Sequence, residues 1–208
     1  QGTVTITLND TAHTTITKTI VDGKAVFDLP KLAAGNYTVS AVYNGNDAYN
    51  INNTESATFE VKKADPGLDA IPSGTVHDNG TIHIYIDKEI IGVVTVKFEN
   101  QTYDVPVKDG IGIFTTPVTT RILPAYDVIL KYAGNENFSS SEVHRSYTPA
   151  KITNYGLTIN VTDIIVGDDE IISVIVPDHA HDVVIWVNGT KYRNTSFTGN
   201  VAKFNVTG

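Results

Sequence analysis

Cysteine is absent from this 208-residue chain, and so is methionine. Without thiols there are no disulfides, no thiolate metal sites and no cysteine nucleophile. Basic residues are few: 15 Lys and Arg stand against 23 Asp and Glu, a formal net charge of -8 with a pI of about 5.1. That balance supplies no basic face for phosphates and argues against nucleic acid as a partner. It also disfavours anionic membrane surfaces while favouring solubility. Long apolar runs are missing too. The stretch around Val183 to Val187 is far too short to cross a bilayer, so no membrane insertion is expected. No basic-plus-apolar leader opens the chain. A chain beginning at Gln1 with no methionine reads as a processed product or a piece of a longer polypeptide.

Catalytic signatures are equally lacking. The sequence holds no Gly-x-Ser-x-Gly elbow, no phosphate loop and no His-Glu-x-x-His run. The six histidines, His13, His77, His83, His144, His179 and His181, are scattered without a recurring acidic or hydroxyl partner. The expectation is a protein that is not an enzyme and has no cofactor.

What is present is a core and a rhythm. Hydrophobic residues make up 41% of the chain, enough to build a packed interior. Apolar positions alternate with polar ones, in short runs bounded by Asn, Gly, Asp and Pro, as half-buried antiparallel strands require. Thr, Val and Ile recur as a pleated surface favours. No helical stripe is longer than about two turns. The class is all-β.

The pattern also repeats. Residues 67–103 lie over 156–192 without a gap, with Val94, Val96 and Phe98 matching Val183, Ile185 and Val187, and upstream Val4, Ile6 and Leu8. A turn leading to a strand recurs as Asp22-Gly23 before Phe27, Asp109-Gly110 before Phe114, and Gly199 before Phe204. Tyr37, Val39, Ala41 and Tyr43 match Tyr126, Val128, Leu130 and Tyr132. Tyr43-Asn44-Gly45-Asn46 then Tyr49 returns as Tyr132-Ala133-Gly134-Asn135 then Phe138. The period is roughly 90 residues, an ordinary size for a β-sandwich domain.

The stretch Leu32-Ala33-Ala34-Gly35-Asn36-Tyr37-Thr38-Val39, followed by Tyr43-Asn44-Gly45-Asn46, resembles the tandem immunoglobulin-like repeats of microbial adhesin-like surface proteins, those of methanogenic archaea and of bacterial Ig-like families. The likeness covers essentially the whole chain. It implies tandem immunoglobulin-like β-sandwich repeats. Residues 1–64 would supply strands C to G of one repeat, 65–150 a complete repeat, and 151–208 strands A to E of a third. It also implies that Tyr37 and Tyr126 are tyrosine corners, whose buried rings bond through their hydroxyls to upstream backbone. The middle repeat departs from the pattern at Leu123-Pro124-Ala125, so its turn should differ there.

Three features are candidate functional sites. Asn9, Asn36, Asn52, Asn79, Asn100, Asn137, Asn160, Asn188, Asn194 and Asn205 all head Asn-x-Ser/Thr sequons. Chance at this composition gives roughly three, so N-glycosylation of an exposed, secreted surface is expected. The rival explanation is that turn asparagines beside strand threonines produce the motif unaided, as at Asn188-Gly189-Thr190. Asp178-His179-Ala180-His181-Asp182, with Asp168, Asp169 and Glu170 upstream, has metal-ligand chemistry. The matching middle segment Glu89-Ile90-Ile91-Gly92 lacks these groups, so a solvated loop is expected and no metal. Trp186 is the one tryptophan; alternation turns Val183, Ile185 and Val187 inward and Trp186 outward, where it could contact a ligand.

Proline-bearing junctions at 62–67 and 148–151 give semi-rigid spacing. The expected function is an extracellular, cell-surface stalk or structural segment. Its partners would be neighbouring Ig-like repeats of the same or adjacent chains, and cell-surface glycans. One alternative is a filament or surface layer assembled by strand complementation of half-repeats. A weaker one is a carbohydrate-binding module.

Overall fold

The computed structural model describes residues 2–49, 54–165 and 167–207, which hold sixteen strands and no helix. The strands form several antiparallel sheets. Two compact units divide the chain, residues 1–150 and 151–208.

The first unit opens with four strands, β1 (Thr3–Leu8), β2 (Thr15–Thr19), β3 (Gly35–Tyr43) and β4 (Thr54–Val61), in one sheet ordered β2-β1-β3-β4. Pairing places Ile6 beside Ile16 and Ala41, and Leu8 beside Val39. Ile6 and Leu8 are buried; Tyr37, Val39, Ala41 and Tyr43 on the same face are half-buried. The Asp22-Gly23 turn forms, with φ of 51° and 76° and a Val21–Lys24 bridge, but no strand follows it at Phe27. In the middle segment the corresponding strand exists because another strand pairs with it. Among the described residues 2–49 and 54–64 no such partner lies beside Phe27.

Residues 66–150 fold as two facing layers. One is ordered β5-β6-β9, from β5 (Asp69–Ser73), β6 (Asn79–Tyr85) and β9 (Ile111–Val118). The other is ordered β11-β10-β7-β8, from β7 (Gly92–Phe98), β8 (Gln101–Val107), β10 (Tyr126–Tyr132) and β11 (Ser141–Tyr147). Ile82, Ile84 and Phe114 of the first layer share one core with Val94, Val96, Val128 and Leu130 of the second. Each isoleucine so buried contributes about 1.5–3 kcal/mol, which fixes the register, since a one-residue slip would expose the whole row. The Asp109-Gly110 turn, with φ of 54° and 84°, suits the twist of the strands it joins.

Tyr37, whose ring is half-buried, and Tyr126, whose ring is buried, both make hydroxyl-to-backbone bonds, of opposite sense. Tyr37 Oη donates to the Ala33 carbonyl at 3.0 Å. Tyr126 Oη accepts the Thr120 N–H at 2.8 Å and the Arg121 N–H at 3.2 Å. The turn between Arg121 and Tyr126 contains the cis Leu123–Pro124 peptide.

The second unit pairs β12 (Thr158–Asn160), β13 (Glu170–Ile175) and β16 (Val201–Val206) in the order β12-β13-β16. A separate hairpin joins β14 (Val183–Val187) to β15 (Thr190–Asn194). Ile172, Val174, Val183, Ala202 and Phe204 form its core. The gapless overlay of 67–103 on 156–192 holds at β7 and β14 but slips by one residue at β6 and β13. It would match Ile82 with Ile171, which is 60% exposed; the buried row is instead Ile172, Val174 and Val176. Burial of alternate residues sets the true correspondence. Six residues separate buried Val176 from Val183 where seven separate Ile86 from Val94, which accommodates the slip.

Candidate functional site

A junction fastens the first sheet to the middle layers. Beyond β4, the Ala64 N–H donates to the Asn137 carbonyl at 2.9 Å, and the Ser139 N–H donates back to the Ala64 carbonyl at 2.9 Å. Lys63 Nζ donates to the Asn135 carbonyl at 2.6 Å, and the Ala34 N–H to Asn137 Oδ1 at 3.0 Å. Lys31 Nζ meets Glu89 at 2.5 Å and 2.7 Å, both side chains exposed. An exposed ion pair contributes about 0–1 kcal/mol, whereas each hydrogen bond made to backbone contributes about 1 kcal/mol. The backbone exchange is therefore the stronger part of the junction. Leu32, Ala33, Val61, Lys62 and Phe138 line a groove along it.

Outward faces of corresponding strands differ sharply in chemistry. On the first sheet the rows run Thr17, Thr5, Val42, Thr54, then Thr15, Thr7, Ser40, Ser56, then Thr38, Thr58. This is nearly all hydroxyl, with Thr5 and Thr17 bonded at 2.8 Å and Ser40 and Ser56 at 2.9 Å. On the middle sheet the same face carries Lys97, Asp104, Lys131, Glu142 and His144. There Lys131 and His144 hold the Glu142 carboxyl below its ordinary range. On the β14–β15 hairpin it carries Val184 opposite Arg193 and Trp186 opposite Lys191. Trp186 is 67% exposed, pointing outward as alternation requires, while Val183 is buried and Ile185 and Val187 are half-buried. Arg193 grips Asp182 through Nε at 2.8 Å and Nη2 at 2.7 Å. That pairing, with smaller contributions from His181 and Lys191, holds the Asp182 carboxyl below its ordinary range.

The Asp178–Asp182 segment does not gather ligands. Among the described residues no group of three or more His, Asp or Glu side chains could hold a metal ion. Asp178, His179, His181 and Asp182 are exposed, Asp182 is engaged by Arg193, and the Glu170 carboxylate accepts from the Thr162 N–H and hydroxyl at 2.9 Å each.

The sequon asparagines fall into distinct settings. Asn36, Asn100, Asn160, Asn188 and Asn205 are exposed. Asn188 has φ of 46° and opens the two-residue loop of the β14–β15 hairpin, so that sequon has a structural reason of its own. Asn9 and Asn137 are exposed but use Oδ1 to accept from Thr38 at 2.6 Å and Ala34 at 3.0 Å. Asn79 and Asn194 use the reactive Nδ2 itself, donating to the Thr116 carbonyl at 2.6 Å and the Lys203 carbonyl at 2.8 Å. Asn52 lies outside the described residues.

Sequence reasoning missed the junction bonds, which join residues distant in the chain. The hydroxyl face was readable: Thr3-x-Thr5-x-Thr7 and Thr15-x-Thr17-x-Thr19 are period-two threonine rows. No protein-family model matches the chain, and no curated protein is recognisably similar to it.

Proposed function

We propose that the chain is a segment of an extracellular, adhesin-like stalk built from tandem immunoglobulin-like sandwich repeats, and that its role is structural and adhesive, not catalytic. The observation that carries this reading is the junction. Consecutive folded segments of residues 1–150 are tied by reciprocal backbone hydrogen bonds between Ala64 and the Asn137–Ser139 turn, as a rod bearing tension needs. The strand partition supports the Ig-like part. The first, second and fifth strands of residues 66–150 make one layer, and the third, fourth, sixth and seventh make the other. This differs from the constant-type arrangement only in the fourth strand, which pairs with the third. Exposed sequons and outward faces of differing chemistry fit a protein met by solvent and glycans outside the cell.

A second reading, a filament of complementing half-repeats, draws on the half-buried Tyr37, Val39, Ala41 and Tyr43 face. The middle segment supplies a steric argument against it. There Gly80 of β6 sits under Tyr147, and a Cβ on Gly80 would lie 2.5 Å from that tyrosine's hydroxyl oxygen. The position matching Gly80 in the second unit is Glu170, and the one matching Tyr147 in the first sheet is Phe59, which pairs with Tyr37 as Tyr147 pairs with Tyr126. Joining these two surfaces on the middle plan would press a carboxylate into a ring where no Cβ fits. Sedimentation velocity on the 208-residue chain separates the readings: a stalk segment stays monomeric as concentration rises, and concentration-dependent polymers would sink the stalk reading.

A further inference from the structure

We propose that the outer face of the β14–β15 hairpin is a binding site for an acidic polysaccharide, with Trp186 as the stacking platform and Lys191 and Arg193 as the carboxylate contacts. The inference deepens the adhesive part of the reading above by naming a ligand class and a place.

The fold itself has no need of an indole at this position. The position occupied by Trp186 is held by Lys97 on the middle sheet and by Thr7 on the first, so neither packing nor strand formation needs an indole there. An outward tryptophan that is 67% exposed leaves a large apolar surface in water. Its cross-strand neighbour is Lys191, and the adjacent pair on the same face is Val184 with Arg193. Three of the four side chains are therefore an aromatic plate and two cations, and Val184, 38% exposed, extends the apolar strip.

Rigidity is the second element. Arg193 does not hang free: its two bonds to Asp182 use two of five N–H donors and fix the plane of the guanidinium, leaving an outer edge to donate. A preorganised cation loses less conformational freedom on binding than a mobile one. With Asp182 hydrogen-bonded to Arg193, Lys191 leaves the three groups with a net positive charge. The result is a locally cationic, partly apolar, flat face on a chain whose net charge is -8.

Ligand chemistry follows from that combination. A pyranose presents one apolar C–H face and an equatorial rim of polar groups. An aromatic plate takes the apolar face, as amphipathic rings do at interfaces. Lys191 directly opposite, about 5 Å between Cβ atoms, and Arg193 on the diagonal, about 7–8 Å away, meet charge on the ring rim or the next sugar. Neutral sugars leave both cations unused. Polyanions without flat apolar faces leave the tryptophan unused. A uronate-bearing polymer engages all three residues.

The test is affinity electrophoresis of the 208-residue protein in gels containing polygalacturonate, alginate or hyaluronan, with methyl-esterified polygalacturonate as the neutral counterpart. The expected result is retardation by at least one of the acidic polymers and none by the ester, weakening as salt rises. Trp186→Ala should lower that affinity at least about tenfold, as loss of an aromatic anchor does. Lys191→Gln should lower it by about two- to fivefold, in the range of an exposed charge contact. Because Trp186 and Lys191 are exposed, both variants should keep the parent circular dichroism spectrum, which is checked alongside. No retardation by any acidic polymer, equal retardation by the ester, or undiminished binding by Trp186→Ala would overturn the proposal. The stalk reading fails by a separate route, self-association in sedimentation without ligand, so the two failures are distinguishable.

Discussion

Replacing Tyr147 by Phe should stabilise the middle segment. The Tyr147 ring is 2% exposed, packed at a tilt against Phe98 and Tyr126. Its hydroxyl is fully buried and, among the described residues, has no partner in hydrogen-bond geometry. Burial pushes the phenol's pKa up, an effect the neighbouring Thr119 hydroxyl partly offsets. A buried hydroxyl left unsatisfied costs about 1–3 kcal/mol. Against that, Phe forfeits the dispersion contacts of a single oxygen with Gly74 and Gly80, on the order of a few tenths of a kcal/mol. The net expectation is a gain of about 1 kcal/mol. The chain itself makes this substitution in its first sheet, where Phe59 faces Tyr37 in the place Tyr147 takes beside Tyr126. Native-state hydrogen exchange of the β6 and β10 amides reads the middle segment separately from local opening elsewhere. Slower exchange in Tyr147→Phe is the predicted outcome. A loss of 1 kcal/mol or more would show that the hydroxyl is bonded in solution and that the reasoning is wrong.

Other predictions follow from the same contacts. Gly80→Ala should destabilise the middle segment by about 1–3 kcal/mol, because the new methyl meets the Tyr147 ring carbons at 2.8–2.9 Å; an unchanged urea midpoint would refute this. Glycopeptide mass spectrometry of native material should find Asn79 and Asn194 empty or the least occupied of the described sequons, since their Nδ2 atoms are held by backbone carbonyls; full occupancy at both would contradict it. The Asp182 carboxyl, lowered by Arg193, should contribute stability at pH above the ordinary carboxylate range and lose it as pH falls through the lowered value. Asp182→Asn should remove that part of the acid sensitivity of the hairpin, followed by Trp186 fluorescence, and an identical acid profile would argue against it. Asn137→Ala should remove the bond to the Ala34 N–H and speed protease cleavage at Lys31, with no change in rate as the refuting result.

The strands were legible because burial writes a period of two into sequence: Ile82 and Ile84, or Val94 and Val96, mark inward rows by alternation alone. The hydroxyl-to-backbone bonds of Tyr37 and Tyr126 were legible too, through the resemblance to immunoglobulin-like repeats, although not their opposite sense, which depends on the turn before each ring. The one-residue slip between β6 and β13 was not. Ile171 and Ile172 are adjacent isoleucines, chemically equal in sequence, and only packing against Val183 and Phe204 distinguishes them. The strand expected at Phe27 failed for a related reason, since a strand needs a neighbour for its backbone groups and local pattern does not report one. For the candidate site, the outward direction of Trp186 came from alternation, while Lys191 and the Arg193–Asp182 clamp required knowing which residues the hairpin places opposite one another.

The most direct test of the account is immunogold electron microscopy of native cells with an antibody raised against residues 65–150. A projecting, surface-borne stalk predicts gold particles outside the envelope, on appendages standing off from it. Gold confined to the cytosol would contradict the account at its centre.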